Sequence, residues 1–416
     1  MVTSMYIYDI FFYFSLLAGF LMAFNLGAND VANAMASAVG AKAISVKQAV
    51  FIAGSLNFVG AVFLGSHVTA TVSKGIINAD QIADPQIVMV GMLASLLAAA
   101  LWVFIATLTA LPVSSTHSIV GSILGFGLVA CGPGVVNWLV LGGVVLSWII
   151  SPFFAAAISF LVFSHIRRFI LMHGRFFLQA LRWAPIWVAL TAALIMLSFL
   201  YKTPVGKNIP VNWWQGLLCI LIISWGVWAL SSKLIRKLMG GAEKSAESVE
   251  LIFRKIQVGT SCYVALSQGA NDVANAIGPV AAIYMISKQH ALFAQAEVPL
   301  SILALGGLGI ALGIMVFGRK VMATVGTKIT SLTNTRGFSV DFGAATTVLA
   351  ASNLGLPVST THAAVGGVVG VGLARGFSAV DFGVLLRIIV YWVLTVPIAA
   401  FTSIVFFNLL SAMFLA

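Results

Sequence analysis

The sequence predicts an all-α polytopic membrane protein with about 12 membrane crossings. It further predicts inverted-topology repeats containing broken or hairpin helices. Three observations carry this expectation. The 416 residues are 61% hydrophobic and only 8% charged, with a mean hydropathy of +1.07. A soluble domain carries roughly 25% charged residues, so lipid is the natural solvent of this chain. The string Gly27-Ala28-Asn29-Asp30-Val31-Ala32-Asn33-Ala34 returns letter for letter as Gly269-Ala270-Asn271-Asp272-Val273-Ala274-Asn275-Ala276. A second string, Leu111-Pro112-Val113-Ser114-Ser115-Thr116-His117, is nearly repeated as Leu356-Pro357-Val358-Ser359-Thr360-Thr361-His362. One structural unit is therefore used twice.

Apolar runs long enough to span a bilayer cover 7–26, 46–64, 87–110, 135–163, 184–201 and 213–231 in the first part of the chain. The second part offers 256–268, 298–317, 342–354 and 382–407. Segments 112–131 and 357–375 open with Pro and polar residues and continue with repeated Gly, the pattern of a broken or hairpin helix. Residues 1–165 form an N-terminal repeat and 250–416 a C-terminal repeat. Between them, 166–249 supply a helix pair and a basic linker, with 240–250 as the plausibly solvated stretch. The repeated motif follows 10–24 directly, which argues against that run being a cleaved signal peptide.

The net charge of +11 raises the question of a nucleic-acid partner, but basic residues also accumulate in cytoplasmic membrane loops. With both ends outside and both Gly-rich segments changing sides, only Lys74, Lys202, Lys207 and Lys288 of the 22 Lys and Arg fall outside. That asymmetry favours a cytoplasmic (inner) membrane and no nucleic-acid partner. The loop holding Val68-Thr69-Ala70-Thr71-Val72 carries one lysine and two aspartates. Its counterpart, Val321-Met322-Ala323-Thr324-Val325, is flanked by Arg319, Lys320, Lys328 and Arg336. Related loops of opposite charge character belong on opposite sides, so the repeats are inverted. Cys131, Cys219 and Cys262 are odd in number and scattered, without disulfide or metal-ligand spacing.

Asp30 and Asp272 stand in apolar neighbourhoods, where an unpaired carboxylate is strongly disfavoured. Asn29 and Asn33, four apart, share a helix face, as do Asn271 and Asn275. Gly27 and Gly269 would let the helix break there and free backbone carbonyls. Carboxylate, amide oxygen and carbonyl are hard donors suited to Na⁺. The Ser114-Ser115-Thr116 and Ser359-Thr360-Thr361 runs place hydroxyls at a helix start beside unpaired N–H groups, an oxyanion-binding arrangement. Two such starts facing each other would cradle a tetrahedral anion. None of the four motifs contains Lys or Arg, so two carboxylates and an oxyanion would repel one another severely at low dielectric. Co-bound cations, or protons on the aspartates, must supply the counter-charge. That requirement predicts a coupled carrier needing no cofactor, not an enzyme. A Ser/His/Asp hydrolase is disfavoured because no nucleophile elbow is present and duplication would give two redundant triads. An anion channel, needing no stoichiometric cation, is the alternative of a different class. His117 and His362 either orient the hairpins through a carbonyl or relay protons. The glycines in 121–127 and 366–372 point to close helix packing rather than phosphate loops. Tyr201, Trp213 and Trp214 are expected at the membrane interface.

The paired Gly-Ala-Asn-Asp-Val-Ala-Asn-Ala and Pro-Val-Ser-Ser/Thr-Thr-His motifs closely resemble those of the inorganic phosphate transporter (PiT) family, over nearly the whole chain outside 166–249. The resemblance implies cation-coupled uptake of orthophosphate across the membrane, by an inverted-repeat fold acting as a homodimer. It implies that Ser114, Ser115, Thr116, Ser359, Thr360 and Thr361 surround phosphate. Asn29, Asp30, Asn271 and Asp272 would contribute to phosphate and Na⁺ sites, with Asn33 and Asn275 nearby. The first octamer and Gly65-Ser66-His67-Val68-Thr69-Ala70-Thr71-Val72-Ser73-Lys74-Gly75 look like the Na⁺-coupled branch. The other branch carries metal-phosphate with protons, and some relatives carry sulfate. Ser115 stands where Thr is commoner and keeps the hydroxyl.

Overall fold

The computed structural model of the chain describes residues 2–78, 81–82, 84–109, 113–202, 206, 209–210, 212–289, 298–328 and 333–415. Leu111, Pro112 and Lys207 lie outside the described residues. So do the side chains of His67, Ala70, Ser73, Lys74, Lys202, Lys320, Val321, Ala323, Thr324, Val325 and Lys328. In chain order the α-helices are α1 (Val2–Gly40), α2 (Val46–Leu64), α3 (Ser66–Lys74), α4 (Pro85–Thr109), α5 (Ser115–Cys131), α6 (Trp138–Ile166), α7 (Phe176–Lys202) and α8 (Trp213–Leu238). They continue with α9 (Ala246–Gln289), α10 (Leu300–Lys328), α11 (Asn334–Asn353), α12 (Thr360–Arg375) and α13 (Phe382–Phe414).

Among the described residues, eight helices are long and apolar enough to cross a membrane. Their surface inverts the pattern of a soluble protein. Phe51, Leu139, Phe153, Trp225, Leu230 and Phe401 are exposed, while Ala, Gly, Val and small polar residues fill the interior. An apolar exterior this extensive is stable only against lipid. Local sequence sets the helix starts. Ser45 with Gln48 and Asn212 with Gln215 form capping boxes that satisfy N–H groups otherwise orphaned. Ser114 accepts from His117 N and Ser359 from His362 N, the same cap in both repeats.

The helices exchange partners between repeats. α1 packs on α10 while α9 packs on α2, and α5 packs on α13 while α12 packs on α6. Each contact thus has a counterpart with the roles of the two halves exchanged. His117 Nδ1 lies 3.0 Å from Trp392 O, and His362 Nδ1 lies 3.0 Å from Trp148 O. The glycines of α5 and α12 permit backbone-to-backbone packing, Gly125 on Ala400 and Gly370 on Ala156, as expected from the sequence.

Several expectations are corrected. α1 and α9 run unbroken through Gly27 and Gly269, so the helices do not open there. The glycines serve a close crossing instead. A Cβ on Gly27 would collide with Ile310 O of α10, and one on Gly269 with Asn57 O of α2. The run 256–268 is not a separate span but part of the 44-residue α9. The run 342–354 belongs to α11, which starts at Asn334. α5 and α12 are single unbroken helices of 17 and 16 residues, about 25 Å long at 1.5 Å per residue. Residues 68–72 lie in α3 and 321–325 in α10, where loops were expected. In 240–250 the chain is mostly exposed, yet Ser248 and Val249 are buried as α9 begins. The three cysteines are free, and Trp213 and Trp214 are exposed and stacked at 3.7 Å.

Candidate functional site

The starts of α5 and α12 meet in the protein interior. Thr116 Oγ1 donates to Val358 O at 3.0 Å, and Thr361 Oγ1 to Val113 O at 3.4 Å, so each hydroxyl run reaches the segment just before the other helix. His117 and His362 lie ring to ring at 4.7 Å, flanked by Trp148 at 3.9 Å and Trp392 at 3.6 Å. Because each Nδ1 faces a carbonyl, which only accepts, each histidine carries a proton there. Orienting the hairpins and relaying protons were the two roles expected for His117 and His362, and the carbonyl contact is the one an orienting role would use.

The two octamers bracket this crossing, each bonding to the other repeat's hydroxyl run. Asn33 Nδ2 donates to Thr361 Oγ1 at 2.9 Å and approaches Thr360 Oγ1 at 3.5 Å, while Asn275 Nδ2 donates to Thr116 Oγ1 at 3.1 Å. Asn29 Nδ2 donates to Asp30 Oδ1 at 3.1 Å, and Asn271 Nδ2 to Asp272 Oδ1 at 3.0 Å. Asn271 also bridges the backbone of Val358, donating to its O at 2.7 Å and accepting from its N at 3.2 Å. All the predicted site residues therefore converge on one place.

The halves then diverge. Ser115 Oγ donates to Asp30 Oδ2 at 2.8 Å. Asp272 Oδ2 is buried with no hydrogen-bond partner, and so is Asn275 Oδ1. Among the described residues, the buried charged groups are Asp30, Asp272 and Asp341, with no lysine or arginine. The positive counter-charge absent from the motifs is thus absent from the surrounding packing as well.

Asp341 was missed in the sequence. It sits on α11, 1% exposed, and accepts from Ser37 Oγ of α1 at 2.6 Å and Ser261 Oγ of α9 at 2.8 Å. An acid inside an apolar stretch was the available signal. By spacing to the Pro-Val-Ser string its counterpart is Leu96, 21 residues before His117 as Asp341 is before His362. The carboxylate ties three helices together in one repeat's neighbourhood only.

The family model described as the phosphate transporter family matches residues 26–403. The chain belongs to that family. A candidate phosphate permease of Pyrococcus abyssi is 49% identical over 95% of this chain and 97% of its own length. The chloroplastic inorganic phosphate transporter 2-1 of Arabidopsis thaliana is 40% identical over 95% of this chain and 71% of its own. A solved structure titled as the sodium-dependent phosphate transporter superposes with a TM-score of 0.92 at 44% identity, covering 97% of this chain and all of that one. Family membership and the apolar helices identify an integral membrane protein.

Proposed function

We propose that this protein takes up inorganic phosphate coupled to Na⁺ by alternating access about the crossing of α5 and α12. The observation that carries the reading is the electrostatic balance of the site. Two buried carboxylates flank a cradle of hydroxyls and helix starts, and among the described residues the buried set contains no lysine or arginine. An oxyanion entering alone would meet uncompensated negative charge at low dielectric, so its binding requires a cation. Ser114, Ser115, Thr116, Ser359, Thr360 and Thr361 hold phosphate, with Asn29, Asp30, Asn271 and Asp272 beside it. The same Asn-Asp pairs, with Asn33 and Asn275, supply oxygen donors to Na⁺. The name of the matched solved structure supports the choice of ion.

Two inverted repeats, 1–165 and 250–416, joined by 166–249, supply the interconverting halves. The chain sits in the cytoplasmic membrane with both ends outside, makes about twelve crossings, and works as a homodimer. Reconstituted into sealed vesicles, the protein will accumulate phosphate when an inward Na⁺ gradient is imposed at constant pH. Accumulation driven by a pH gradient and indifferent to Na⁺ would favour proton coupling. Equilibration without uphill accumulation would mark a channel. Preference for sulfate over phosphate would change the substrate.

A further inference from the structure

The stretch 166–249 carries neither repeated string, and its basic residues take no part in the site at the α5–α12 crossing. After α6 the chain makes a π turn at Arg167–Leu171 and reverses over 172–175 before α7 begins at Phe176. α8 ends at Leu238, and a second linker, 239–245, leads into α9. One apolar cluster holds the two linkers side by side: Ile170 and Phe177 flank the first, Met239 and Val249 belong to the second and its helix, and all four are buried. Between the linkers lies a cavity of about 260 Å³, lined by Gly174, Arg175, Phe176, Phe177, Leu178 and Lys244.

The lining combines two cations with apolar surface and includes no acid; Glu243 and Glu247, close to Lys244 in sequence, are not part of it. Among the described residues, neither the Arg175 guanidinium nor the Lys244 ammonium has a hydrogen-bond or ion-pair partner. Neighbouring arginines are already engaged: Arg167 donates to Ala374 O at 2.7 Å, and Arg168 lies 5.6 Å from the centre of the Phe169 ring. Two unpaired cations on one cavity repel each other, and an anion held there offsets the repulsion. The backbone points the same way. Gln179 N bonds back to Arg175 O at 3.1 Å, so Phe176, Phe177 and Leu178 open the 27-residue α7 with N–H groups that have no acceptor in the helix. Arginine, lysine and the start of a helix together suit a phosphate ester.

The surroundings decide where that phosphate comes from. The cavity lies at the ends of three apolar spans, Trp138–Leu171, Phe176–Tyr201 and Trp213–Leu238. At those same ends Phe169, Met172, Leu178 and Leu238 are exposed. Free phosphate gains nothing from an apolar rim, whereas a lipid can lay its chains along it with the headgroup in the basic cavity. Two uncompensated cations select a lipid of net negative charge over a zwitterionic one. We propose that the cavity between the α6–α7 turn and the α8–α9 linker binds the headgroup of an anionic phospholipid through Arg175, Lys244 and the first turn of α7. The bound headgroup joins the two linkers and stabilises the fold. This holds whatever ion drives transport.

The test titrates the purified protein in detergent with dioleoyl phosphatidylglycerol or dioleoyl phosphatidylcholine, counting bound lipids by native mass spectrometry and following the melting temperature. Phosphatidylglycerol should bind more tightly and raise the melting temperature, and phosphatidylcholine should do neither. Arg175→Gln and Lys244→Gln should each weaken phosphatidylglycerol binding about fivefold, the worth of one cation beside an anionic lipid, and blunt the melting shift. Both side chains are exposed, so these variants keep the packing of the wild type. Lys244→Arg keeps the charge and should bind as the wild type does. Lys237→Gln removes an exposed cation outside the cavity and should change binding by no more than about twofold. Equal affinity for the two lipids overturns the site, and so does a loss in Lys237→Gln equal to that in Lys244→Gln. Displacement of bound phosphatidylglycerol by excess inorganic phosphate would assign the cavity to free phosphate and overturn the lipid.

Discussion

Ser115 and Thr360 occupy matching places in the two repeats, and replacing each should have unequal consequences. Ser115→Ala removes the hydroxyl that donates to Asp30 Oδ2 at 2.8 Å, where Asp30 is 1% exposed. A hydrogen bond to a charged group contributes about 1.5–3 kcal/mol, and leaving the buried acceptor short of a donor puts the cost toward the upper end. Thr360→Val replaces a hydroxyl whose described contact is Asn33 Nδ2 at 3.5 Å, the outer limit of a hydrogen bond. Asn33 keeps its 2.9 Å bond to Thr361, so this change should cost no more than about 0.5 kcal/mol. The assay is thermal unfolding of the purified protein without Na⁺ and phosphate, which removes ligand contacts from the comparison. Ser115→Ala should lower the melting temperature clearly, Thr360→Val should barely move it, and Ser115→Thr should restore it. Equal losses in the two variants would refute the claim that, of this matched pair, Ser115 fastens a carboxylate and Thr360 does not.

Two further outcomes follow from the same geometry. Gly27→Leu and Gly269→Leu should each abolish the folded, monodisperse protein on size exclusion, because the new side chain meets the backbone of Ile310 or Asn57; Gly142→Leu, with open space around it, should leave the profile unchanged. Asp30→Asn and Asp272→Asn should depress Na⁺-driven phosphate uptake far more than the amount of protein in the membrane, and unchanged Na⁺ activation in both would remove the aspartates from the coupling.

The sequence made the site legible because the site is duplicated. Both octamers and both hydroxyl runs stand out as polar strings in apolar surroundings, and the structure brings them to one crossing. Less visible was anything occurring once. Asp341 immediately precedes the run 342–354, so an apolar-window reading begins one residue too late to include it. Gly27 and Gly269 misled for a different reason. A glycine next to Asn and Asp reads locally as a break, whereas here it admits the backbone of a helix far away in sequence.

Because α1 finds its neighbour in α10, and α5 its neighbour in α13, the first half of the chain emerges from synthesis with its mating surfaces vacant. Those surfaces must wait in the bilayer until the second half is made. Assembly is thus a late, collective event: a chain cut between α7 and α8 should yield two fragments that are each degraded when made alone and rescued when made together.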